Sequence, residues 1–171
     1  NGKLLIVDDF MQQVFSAART GPTGALAISR DDRFLAVGLD GDGGSEGKIA
    51  LWDLSAMRQI KTFKADSKAV LSLNFSPDGS TLLSAGMGDG VKLWAVGSGK
   101  LIRSLEVPGN GVDVSADFRQ LFTSSKDGTP LKLWSVPTGE SIQLSDTGYA
   151  SGFATHAPLA VSFFDKSATV W

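Results

Sequence analysis

Tryptophan recurs along this chain at a nearly fixed interval, and that interval constrains the fold more than any other feature. Trp52, Trp94, Trp134 and Trp171 are separated by 42, 40 and 37 residues. Three of them close the same short pattern, in which a lysine, apolar residues and Trp end a strand-like run: KIALW (Lys48–Trp52), VKLW (Val91–Trp94) and LKLW (Leu131–Trp134). A fourth run, ATVW, ends at Trp171. Upstream, GKLLIVD (Gly2–Asp8) matches GKIALWD (Gly47–Asp53) in character at each position, with Val7 where Trp52 stands. A period of about forty residues means one supersecondary unit used again and again, each copy burying its apolar faces against its neighbours.

Each period holds a second shared segment, an alternating strand, a Ser/Asp/Gly turn and another apolar strand. The clearest copy is LSLNFSPDGSTLLSAG (Leu71–Gly86); the others are ALAISRDDRFLAVG (Ala25–Gly38), VDVSADFRQLFTSS (Val112–Ser125) and SGFATHAPLAVSFF (Ser151–Phe164). Pro77-Asp78-Gly79 offers the fixed φ and the accessible positive φ that a tight reversal requires. A second turn, Gly88-Asp89-Gly90 or Lys126-Asp127-Gly128, precedes the Trp-bearing strand, and Asp-Gly between apolar strands is a strong hairpin signal. A third connection, Val96–Gly99 or Val136–Gly139, leads to a more polar outer strand, Lys100–Leu105 or Ser141–Leu144. The expectation is four strands per period, with inner strands wedged between adjacent sheets and the outermost facing solvent as an edge. Trp at the end of the third strand would fill the wedge, its indole N–H calling for a polar partner.

Composition removes several function classes. The net charge of −2, with no run of Lys or Arg, leaves no electrostatic footprint for nucleic acid or an anionic membrane. With no cysteine there is no disulfide frame, thiolate nucleophile or Cys-based metal site. No apolar stretch reaches the roughly 18–20 residues of a bilayer span, and the N-terminus lacks a signal-peptide layout. The chain reads as soluble, with a cytoplasmic address favoured, and its start at Asn1 reads as a processed chain or a piece of a longer one.

FSPDG followed by KLW, at this period, resembles the WD-repeat family. That resemblance implies an all-β β-propeller of four-stranded antiparallel blades, with about four repeats present as a partial ring. The repeats are expected at approximately residues 9–53, 54–95, 96–135 and 136–171, with 1–8 ending a preceding one. Only Trp52-Asp53 keeps the family's signature dipeptide, since Ala95 follows Trp94 and Ser135 follows Trp134. The family's Gly-His pair is absent, the single His156 falling in a hairpin turn. The His–Asp–Ser/Thr–Trp hydrogen-bond network is therefore not expected, and packing is left to carry more of the stability. An open arc would also leave two inter-blade faces in water. At about 500 Å² of apolar surface per pair of faces, the lost burial is on the order of 12 kcal/mol, comparable to the whole stability of a domain. The arc is thus expected to be completed by more chain or another subunit.

The most distinctive loop is DGDGGSEG (Asp40–Gly47), where Asp40, Asp42 and Glu46 stand at spacings loosely like a calcium loop but without its full register. A solvated structural loop is the preferred reading, ahead of partner contact and metal. The resemblance further implies that connections from second to third strand, and from outer strand to the next inner one, share one partner-binding face. Mapped here, that face carries Asp40, Asp42, Glu46, Asp66, Ser67, Lys68, Asp89, Asn110, Lys126, Asp127, Asp146 and Lys166, a mixed but mostly acidic set. Catalysis has little footing: His156 lacks a G-x-S-x-G elbow, Asp31-Asp32 sits in a turn where Asp bonds its own backbone, and no glycine-rich stretch opens a helix. The aromatic residues read as core and not as base-stacking platforms. No cofactor or metal is expected. The sequence favours a non-catalytic scaffold that binds protein partners through rim loops; the rival is a propeller enzyme or sensor with a ligand or metal in the central channel, which would need carboxylates or histidines recurring on the axis.

Overall fold

In a computed structural model, the structure describes residues 25–39, 46–105, 107, 111–124, 130–145, 149–153, 160–164 and 167–170. These form four antiparallel sheets, each a simple meander. The first holds β1 (Leu26–Ile28), β2 (Phe34–Leu39), β3 (Gly47–Asp53) and β4 (Arg58–Asp66); the second β5 (Val70–Phe75), β6 (Thr81–Gly86), β7 (Gly90–Ala95) and β8 (Lys100–Leu105). The third holds β9 (Gly111–Val114), β10 (Gln120–Ser124), β11 (Leu131–Ser135) and β12 (Ser141–Ser145); the fourth β13 (Tyr149–Phe153), β14 (Ala160–Phe164) and β15 (Ser167–Val170). The expected four-strand period is thus met in three sheets and in three strands of a fourth. Among the described residues no helix is long and apolar enough to cross a membrane.

Register repeats from sheet to sheet. Each Trp among the described residues lies opposite a leucine of the neighbouring strand: Trp52 with Leu35, Trp94 with Leu82 and Trp134 with Leu121, while Trp171 lies outside them. Because alternate strand residues face opposite ways, this pairing sends Trp94 toward the first sheet and Trp134 toward the second. Trp94 packs in one apolar cluster with Ile49, Leu51 and Ala36, its ring 4.8 Å from that of Phe63 on β4. Trp134 borders a second cluster built on Leu83, Leu93, Leu105 and Leu121. A third, around Phe122 and Leu131, reaches Phe153 of the fourth sheet, with ring centroids 4.7 Å apart. The core is therefore a series of inter-sheet seams.

Of the outer strands β4 is polar as expected, exposing Arg58, Gln59, Lys61, Thr62 and Lys64, whereas β8 also exposes Leu101 and Ile102 and β12 exposes Ile142. Two of their cations span a seam: Lys61 Nζ donates to the Ser98 carbonyl at 3.1 Å, and Arg103 Nη1 to the Pro137 carbonyl at 2.7 Å. Each thereby ties an outer strand to the turn after the next Trp strand. Register places Lys61 opposite Leu51, Arg103 opposite Leu93 and Ile142 opposite Leu133. At the third position the cation is replaced by an apolar residue.

Candidate functional site

The turns that join each first and second strand use one device three times. Ser29, Ser76 and Ser115 each donate a hydroxyl to the aspartate two residues on, Asp31, Asp78 and Asp117, at 2.6 Å. Each serine oxygen also accepts the N–H of the residue five along, Phe34, Thr81 or Gln120, at 2.9–3.0 Å. Those bonds hold the aspartates ionised, the Ser76 hydroxyl and then the Ser80 N–H drawing Asp78 down to about 2 from an ordinary 3.8. Asp31 and Asp117 are lowered by the same serine bond first. The residue after Asp31 or Asp78, and likewise the one after Asp117, has positive φ: Asp32 at 57°, Gly79 at 68° and Phe118 at 61°. At the β3–β4 turn, Asp53 accepts from Ser55 N, Ser55 Oγ and Ala56 N at 2.6–3.0 Å. These carboxylates are committed to backbone geometry, as expected for Asp31, and are poorly placed for acid–base work.

The opposite end carries the β2–β3, β4–β5 and β6–β7 connections. Its central feature is Asp66, 2% exposed at the end of β4. Its carboxylate accepts from Lys68 N and Gly88 N at 2.8 Å and from Asp89 N at 2.9 Å, tying the connection out of the first sheet to the turn of the second. A Cβ at Gly88 would meet Ser67 Oγ and crowd the Asp66 carboxylate, so a larger residue there must displace both side chains. Lys92 Nζ closes the turn, donating to Asp89 at 2.7 Å and to the Ala65 carbonyl at 2.8 Å. The Lys92 ammonium, and after it the Ser67 hydroxyl, lowers the Asp89 carboxyl. On the neighbouring connection Lys64 pairs with Glu46 at 2.9 Å, lowering the glutamate and raising the lysine.

The indole expectation is met in two sheets. Trp94 Nε1 donates to Ser84 Oγ and Trp134 Nε1 to Thr123 Oγ1, both at 2.8 Å. One arm of the network therefore persists without the histidine, a polar contribution that stands beside the packing. The Trp–hydroxyl arm persists because Ser84 and Thr123 occupy one register position, opposite Lys92 and Lys132. Asp66 ties the loops from the other side. In the third sheet Asp113 does a comparable job, its Oδ2 accepting Phe153 N at 2.7 Å across the next seam.

Of the residues expected on the partner face, Glu46, Asp66, Ser67, Lys68 and Asp89 fall within the described residues and do converge, at the seam between the first two sheets. Asp40, Asp42, Asn110, Lys126, Asp127, Asp146 and Lys166 lie outside them, as does His156. Asp66 is buried, so it shapes this end and does not front it. Met87, 49% exposed beside Asp66's turn, was not picked out from sequence. Its only signal was position, between Gly86 and Gly88 in a turn. Among the described residues no group of three or more His, Cys, Asp or Glu is disposed to hold a metal. A cavity of about 600 Å³ opens at the other end, walled by Leu133, Pro137 and Ile142 with Arg119 and Glu140.

Residues 57–95, which span β4 to β7, match the model for the WD domain, G-beta repeat. The matched repeat thus takes the outer strand of one sheet and the inner three of the next. Small ribosomal subunit protein RACK1y of Oryza sativa subsp. japonica is 32% identical over 127 residues, covering 68% of this chain and 35% of that protein. WD repeat-containing protein 36 of Homo sapiens is 27% identical over 126 residues, covering 71% of this chain and 13% of that protein. The chain therefore spans well under half the length of these relatives. Among solved structures, the β-propeller domain of Cps50 (Swd1) from Myceliophteria thermophila superposes with TM-score 0.68 at 15% identity, over 86% of this chain and 52% of that one. The computationally designed protein Ika4 gives 0.69 at 21% identity, over 90% and 91%. The matched repeat, the relatives and the sheet order agree: the chain is a stretch of WD40-repeat β-propeller, and its sheets are the blades.

Proposed function

We propose that this propeller is a non-catalytic scaffold that binds protein partners through the loop end carrying Glu46, Ser67, Lys68, Met87 and Asp89. One observation carries the reading: the Asp31, Asp53, Asp78 and Asp117 carboxylates accept backbone N–H groups of their own turns, while Asp66 ties the opposite loop end together and leaves its exposed side chains outward. A pre-ordered surface loses little conformational entropy on binding, which is what a docking platform needs. The WD-repeat relatives support the same class. The rival, a channel-centred enzyme or sensor, has no recurring ligand set among the described residues to support it. Affinity capture with the chain, compared with Asp66→Ala and with the outer-strand control Lys100→Glu, tests the proposal. A partner retained by the native chain and the control but lost with Asp66→Ala is the expected result. Capture indifferent to Asp66→Ala, or turnover traced to a bound metal, would sink it.

A further inference from the structure

Three acidic side chains of the loop end already have partners within the chain, Glu46 and Asp89 in ion pairs that stay open to solvent and Asp66 in the interior. Glu46 pairs with Lys64 and Asp89 with Lys92, while the Asp66 carboxylate is enclosed by backbone N–H groups. Lys68 is exposed and, among the described residues, no carboxylate lies within ion-pair distance of it. Next to it stands Met87, whose N–H donates to the Ala69 carbonyl at 3.0 Å. Among the described residues, the outward groups left without an ionic partner at this seam are thus the Lys68 ammonium and the Met87 thioether, on connections joined through Ala69.

The backbone at these two positions is also held in fixed relation. Lys68 N donates to Asp66 and Met87 N to Ala69, and the next residue, Gly88, donates to Asp66 again. Gly47, at the start of β3, packs so closely under the Lys68 carbonyl that a Cβ there would strike it. Three separate connections therefore meet at one point and support one another.

Resting on the scaffold reading, we propose that the Lys68–Met87 spot takes an extended segment of a protein partner in which a carboxylate side chain adjoins an apolar one. The ammonium supplies the charge complement, and Met87 supplies an adaptable apolar contact for the neighbouring side chain. The mount adds affinity by removing the cost of ordering two loops.

Selection of nine-residue peptides from a random display library on the immobilised chain tests this. Enrichment of Asp or Glu next to Leu, Met or Phe is expected. Lys68→Glu should weaken the selected peptides about fivefold to tenfold and shift selection toward Lys and Arg; Lys68→Met should weaken them about twofold to threefold, in keeping with an exposed charge pair. Met87→Ala should cost about threefold and Lys100→Glu nothing. Unchanged melting of the variants shows that folding is not what is being read. Peptides without an acidic residue, or equal binding by Lys68→Glu, overturn this site and leave the scaffold reading standing. A library yielding no binder, together with capture indifferent to Asp66→Ala, brings both down.

Discussion

Asp66 is the residue on which the loop end depends. Replacing it with Ala leaves three N–H donors without their acceptor in a buried corner, a loss of about 3 kcal/mol. Urea unfolding should show the midpoint falling accordingly, and Asp66→Asn, which keeps one acceptor oxygen, should recover part of it. Ser84→Ala strands the Trp94 indole N–H and should cost about 1–2 kcal/mol by the same measurement. Met57, 47% exposed at φ 50°, holds a left-handed conformation that glycine adopts freely. Met57→Gly should therefore stabilise by about 0.5–1 kcal/mol. Asp78 governs an acid response. Its folded carboxyl titrates at about 2 against 3.8 unfolded, so its contribution is complete above about pH 4 and fades as pH falls through 2. Asp78→Asn should melt lower than the native chain at pH 7, and the gap should close by pH 2. The Ser-x-Asp spacing behind this device stands in the sequence at Ser29–Asp31, Ser76–Asp78 and Ser115–Asp117, and again at Ser125–Asp127 before a different strand. Its value was hidden there because a hydroxyl that orders a turn and one that attacks a substrate are spelled alike.

At the scale of the strand, the outer edges differ in how they are protected. β4 carries Arg58, Lys61 and Lys64, and β8 carries Lys100 and Arg103, charges that discourage edge-to-edge pairing. β12, Ser-Ile-Gln-Leu-Ser, has none, and Ile142 is 60% exposed over the 600 Å³ cavity. Where Lys61 and Arg103 reach the following turn, Ile142 offers only methyl groups. Ile142→Lys should reduce concentration-dependent aggregation measured by light scattering while changing stability by less than about 0.5 kcal/mol, the usual range for a surface change. Strand identity and order were legible because apolar alternation, Asp-Gly turns and Trp spacing all point to the same hairpins. The seam-spanning cations were not, since a lysine that gates an edge and one that latches a neighbouring turn have the same alternation.

For the whole molecule, the innermost strand of the first blade matters most, because Leu26 and Ile28 are exposed while Leu35, Val37 and Trp52 on the same face are buried. Leu26 and Ile28 lie opposite Val37 and Leu35, the register positions held by Leu73 and Phe75 in the second blade and by Val112 and Val114 in the third. Those four pack into seams with the preceding blade. Leu26 and Ile28 are 51% and 52% exposed. We propose, as the repeat count implied, that these two side chains are covered by a further blade from more chain or another subunit. Cooperative folding of these 171 residues as an isolated monomer, seen by light scattering and calorimetry together, would refute it.

The forty-residue period, the four-strand unit and the inward Trp followed from the sequence alone, because they depend on local turn chemistry and on alternation that has a single packing solution. The outward character of the loop end was decided only by tertiary structure. Whether Glu46, Asp66 and Asp89 present charge depends on Lys64, Lys92 and the backbone of an adjoining blade, which sequence distance does not reveal. Charge in a list is a count; charge on a surface is what remains after neighbours have been satisfied.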